Sequence, residues 1–64
     1  MHSSNVAAWR YDAAAKRLEL RFVSGGVYAY SGVPATVARS FAGSPSPGRY
    51  VHAVLRLFPA SKIG

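Results

Sequence analysis

From Arg17 to Val23 the chain alternates polar and apolar residues without interruption. Leu18, Leu20 and Phe22 fall on one side of an extended strand, and Arg17, Glu19 and Arg21 on the other. Asn5 to Tyr11 reads as a preceding strand, while residues 1–4 read as frayed. The connection Asp12 to Lys16 suits a five-residue loop, although its three alanines also suit a helical turn. Ser24-Gly25-Gly26 reverses the chain, because glycine takes the positive φ of a tight hairpin. Val27 to Ser31 then forms a third strand, which Gly32-Val33-Pro34 ends.

Beyond Pro34 the apolar period lengthens from two residues to that of a helix. Pro34 to Ala42 reads as a short helix with Val37, Ala38 and Phe41 on its apolar side. Gly43-Ser44-Pro45 closes it. Ser46 suits an N-cap and Pro47 the first position of a second helix, which runs to about Phe58. Val51, Val54, Leu55 and Phe58 then fall at i, i+3, i+4 and i+7, one buried stripe. The expected fold is α+β: a three-stranded antiparallel meander followed by two helices packed on one face, β-β-β-α-α. It spans residues 1–64 as a single domain, with Leu18, Leu20, Phe22, Val54 and Phe58 in a shared core.

Register across the glycine turn decides the role of Tyr28 and Tyr30. A loop of Ser24-Gly25-Gly26 sets Phe22 against Tyr28 and Leu20 against Tyr30, which buries both rings. A two-residue turn exposes them instead, as an aromatic platform beside Arg17 and Arg21 on which bases would stack. Trp9 and Tyr11 carry the same alternative. A six-residue link places them opposite Leu20 and Leu18, on the apolar face, and a shift of one turns them outward.

Composition narrows the chemistry. Eight Lys or Arg against two acids give a net charge of +6, a field that favours anionic partners or serves solubility. There is no cysteine, and His2, His52, Asp12 and Glu19 are too few for a metal centre, so no cofactor is expected. The start MHSSN has no signal-peptide character and no apolar run is long enough to span a membrane. A cytoplasmic, non-enzymatic protein is the expectation.

The second helix carries the candidate site. Arg49, His52 and Arg56 fall at i, i+3 and i+7 along one side, away from the apolar stripe. With Ser46 and the free N–H groups of the first turn they would hold a phosphate or carboxylate, and Arg39 on the first helix would extend the patch. The alternative is a helix start with a solvated basic face behind it. As a general base His52 would need an orienting acid, which Glu19, between Arg17 and Arg21, is poorly placed to supply.

The run FVSGGVYAYSGVP from Phe22 to Pro34 sits between Ser3-Ser4-Asn5 and Tyr11-Asp12 upstream and Ser46-Pro47-Gly48-Arg49-Tyr50 downstream. Together these segments resemble the KTSC domain, a family named for the C-terminus of some lysyl-tRNA synthetases and also found as small bacterial proteins. RNA binding is the activity this resemblance implies. In similar sequences the middle residue of the Tyr-x-Tyr motif is often charged. That implies an exposed middle position, with the tyrosines in the core and their hydroxyls at the rim. Similar domains often read Gly-basic-Tyr-Phe-Asn where this chain has Gly48-Arg49-Tyr50-Val51-His52, so no role of that amide carries over. The expected partner is RNA or another polyanion. The alternative is a protein partner or homodimer at an exposed sheet edge, for which the alanine-rich first strand is the candidate.

Overall fold

The computed structural model describes residues 5–64, so the expected fraying of residues 1–4 lies outside the described residues. The meander forms as three antiparallel strands, β1 (Val6–Asp12), β2 (Arg17–Phe22) and β3 (Val27–Tyr30). Two helices follow, α1 (Ala35–Ala42) and α2 (Pro47–Ala53), then a single 3-10 turn at Leu55–Leu57. The α+β class stands, but the strand count is corrected from three to four. A last strand, β4 (Ala60–Lys62), pairs antiparallel with β3 and gives the order β1-β2-β3-β4. All three of its side chains are exposed, so it leaves no alternation to read in the sequence.

The hairpins fix which face is apolar. Asp12 opposes Arg17 across the first turn, which sets Trp9 against Leu20 and Tyr11 against Leu18, on the apolar face. The turn residues adopt no helix; Ala15 N–H donates to the Asp12 carboxylate at 3.2 Å. In the second hairpin the loop is Val23-Ser24-Gly25, closed by the Phe22 N–H bonded to the Gly26 carbonyl at 2.9 Å. Gly25 takes φ +103°, a conformation that other residues rarely adopt. Leu20 therefore opposes Tyr28 and Leu18 opposes Tyr30, two residues displaced from the expected pairs. A displacement of two keeps every side chain on its face.

The second helix is shorter than its apolar stripe. It stops at Ala53, Val54 leaves helical geometry at φ −120°, and the 3-10 turn takes over. Val54 is β-branched, and Phe58 must be extended before Pro59, so the last turn tightens and ends. Pro34 likewise stands just outside α1, as an extended N-cap rather than a helical residue. The core gathers Leu18, Leu20, Tyr30, Val33, Phe41, Val51 and Leu55, with Phe22 and Phe58 packed at its margin and Val54 half-buried. Phe41 joins the layers: its ring meets Trp9 of β1 edge-on at 5.7 Å and Tyr50 of α2 at 6.0 Å. Tyr11 hydroxyl donates to the Val33 carbonyl at 2.6 Å and Val33 N–H to the Lys16 carbonyl at 2.9 Å, which pins the segment entering α1.

Candidate nucleic-acid interface

Both acids of the chain lie on the first hairpin, and both are engaged. Glu19 bridges Arg10 at 3.1 Å and Arg17 at 3.0 Å on the sheet face opposite the helices, and Asp12 accepts from the turn. Residues 20–64 contain no Asp or Glu. Arg39 at the end of α1, Arg49 and His52 on α2, and Arg56 on the 3-10 turn are all exposed. None of these four side chains has a hydrogen-bond or ion-pair partner among the described residues. α1 and α2 pack together through Phe41 and Tyr50, so these cations belong to one layer.

The expected line of three along one helix is corrected. Arg49 and His52 share α2, but the i+7 argument stops at Ala53, and Arg56 sits on a turn of different pitch. Ser46 does stand at the N-cap with Pro47 next, yet its hydroxyl makes no capping bond. A helix of seven residues sums few peptide dipoles, so the helix-end anion site loses its main support. The exposed cations are what is left to support an anion-binding surface.

Tyr28 and Tyr30 lie on the helix side of the sheet, opposite Leu20 and Leu18. The platform beside Arg17 and Arg21 is therefore not formed, because those arginines point to the other face. Tyr30 is only 7% exposed, and burial, reinforced by the neighbouring Tyr28 hydroxyl, raises its phenol above the ordinary 10.0. Ala29, the middle residue expected to be exposed, is 6% exposed even on the open face. It is central in the sheet, flanked by Glu19 on one side and Ser61 on the other.

Two groups escaped the sequence reading. Lys62 reaches the helix side of the sheet opposite Tyr28, through the strand that left no pattern. Asn5, Ser24 and His52 converge with aromatic residues around one cleft, visible only once the hairpin register is known. Among the described residues no cluster of His, Cys, Asp or Glu could hold a metal ion, and no helix is long and apolar enough to cross a membrane.

With this geometry in place, residues 2–57 match the family model of the KTSC domain. The chain belongs to the KTSC domain family. A KTSC domain protein of Yersinia pestis, solved by crystallography, superposes with a TM-score of 0.90 at 34% identity, over 97% of this chain and 90% of that one. Two lysine–tRNA ligases are similar over 53 residues, or 83% of this chain: that of Nostoc sp. at 38% identity and that of Trichormus variabilis at 36%. This KTSC domain spans only 9% of the length of either ligase.

Proposed function

We propose that this KTSC domain is a non-enzymatic module that binds nucleic acid, RNA in particular, through its helix layer. The observation that carries the reading is the exposed, unpaired set Arg39, Arg49, His52 and Arg56 in a region without a single acid. Such a surface attracts a phosphate backbone and releases its counterions. The choice of RNA draws on the lysine–tRNA ligases that share the domain, an argument from association. The non-enzymatic part rests on His52, which no carboxylate orients: Glu19 is held by two arginines and Asp12 by its turn.

A protein partner at a sheet edge is the weaker reading. β1 is an edge, but a bulge between Val6 and Ala8 interrupts it, and the Arg10 side chain on it is 80% exposed. Both features discourage strand addition. Mass in solution across protein concentrations checks for a dimer.

The test is fluorescence anisotropy of a labelled mixed-sequence RNA and of matched DNA, titrated at several salt concentrations with the native domain and an Arg49→Glu, Arg56→Glu variant. Salt-dependent binding that the variant loses supports the proposal, and preference for the RNA supports its finer part. Absence of binding at low salt, or binding unchanged in the variant, refutes it.

A further inference from the structure

The helix layer stops short of the β2–β3 turn and leaves a cleft of about 450 Å³ between that turn and α2. Its volume lies within the ~300–1,000 Å³ of ordinary ligand pockets. Phe22, Tyr28 and Tyr30 line it from the sheet, and Val51 and His52 from α2. Phe22 and Tyr28 meet edge to face at 5.6 Å and 74°, which holds both rings in fixed planes. Gly26 lies against the Tyr28 ring: a Cβ there would stand 3.2 Å from Tyr28 Cε1, so the position leaves room for the ring.

The polar groups at the mouth are Asn5, Ser24 and His52, none with a side-chain partner among the described residues. An amide, a hydroxyl and an imidazole together offer donors and acceptors to the edge of a planar heterocycle. Charge complementarity names what brings that ring. No acid lines the cleft, Asp12 and Glu19 lie on the first hairpin, and Lys62 stands beside Tyr28 on the same face. Arg49 precedes His52 by three residues on α2, about one helical turn.

We infer that this cleft takes one unstacked nucleobase of a single-stranded nucleic acid, packed against the aromatic rings while its phosphates run along Arg49 and Lys62. The inference rests on the nucleic-acid reading above and adds a site within it. The cleft supplies stacking, which any base satisfies, and the helix layer supplies charge.

The test compares a labelled eight-nucleotide RNA with an oligomer of abasic phosphodiester units of the same length and charge. The native domain should bind the RNA about 5- to 150-fold more tightly, the gain that stacking of one base provides. Tyr28→Leu keeps an apolar strand residue and should bring the ratio towards one, with the salt dependence retained. His52→Ala, at an exposed position outside the core, should lower the ratio several-fold and serves if the first variant fails to fold. Equal, salt-dependent binding of the two oligomers overturns the cleft and leaves the polyanion surface standing. No binding of either at low salt overturns both.

Discussion

If polyanions bind the helix layer, two triple variants of identical charge must behave differently. The first replaces Arg39, Arg49 and Arg56 by Gln; the second replaces Arg10, Arg17 and Arg21, on the open sheet face. Each lowers the net charge from +6 to +3, so the long-range attraction is matched and only local contacts differ. Three phosphate contacts on a single strand give a log–log salt slope of about −2.1, or roughly an 18-fold loss of affinity between 50 and 200 mM salt. The helix-layer variant should lose nearly all of that slope. The sheet-face variant should bind more weakly at every salt concentration yet keep a slope near −2. Two of its three arginines are already engaged by Glu19, so they have less charge to offer a phosphate. Surface changes of this kind alter stability by roughly 0.5 kcal/mol, and loss of the exposed Glu19 pairs by about 0–1 kcal/mol, so both variants should fold. Anisotropy with a labelled single-stranded RNA at pH 8 reads the slope, after thermal melts confirm the fold. Flattening by the sheet-face variant, or equal flattening by both, would show that the helix layer is not the contact surface.

Four further outcomes test the fold and the cleft. Phe41→Ala removes the ring that joins both helices to the sheet and should cost about 3–5 kcal/mol, against a total of ~3–10 kcal/mol for a chain of this size. Urea unfolding followed by Trp9 fluorescence measures it, and a loss under about 1 kcal/mol contradicts the packing. Gly25→Ala meets φ +103° and should cost ~1–2 kcal/mol in the same assay. Gly26→Ala should instead shift the Tyr28 ring resonances and weaken discrimination against the abasic oligomer, since the added methyl presses on that ring. Burial holds the Tyr30 proton past its unfolded value of 10.0, so its contribution to stability is complete below about pH 10 and declines as pH rises through the folded value. Absorbance at alkaline pH, compared with a Tyr30→Phe variant, reads that delayed ionisation.

The sheet was legible wherever burial leaves a period. The alternation Leu18, Leu20, Phe22 named β2, and the glycines named the reversal, although the loop closed on Phe22 and Gly26 rather than on Val23 and Val27. Parity alone assigns the face, so the slide did not misplace Tyr28 or Tyr30. The stripe Val51, Val54, Leu55, Phe58 pointed to the core but overstated the helix, because a helix of about two turns followed by a 3-10 turn can aim the same residues inward. β4 was invisible because its side chains meet no core. Of the candidate site, the charges could be counted in the sequence. The cleft could not, since it depends on where α2 stops and where the hairpin closes.

That last strand has a consequence for how the sheet is kept closed. β4 lies beyond the matched residues 2–57, and it joins β3 by backbone pairing, with Tyr28 opposite Lys62, Ala29 opposite Ser61 and Tyr30 opposite Ala60, and with Gly64 N–H donating to the Val27 carbonyl at 3.2 Å beyond them. Backbone pairing is nearly indifferent to side-chain identity, so little in β4 makes it the preferred occupant of that edge. Its advantage is the tether through Pro59, which holds it at high effective concentration beside β3. Occupancy of the β3 edge is thus a competition decided by covalent proximity. Cutting the tether, rather than changing the strand, is what would open it.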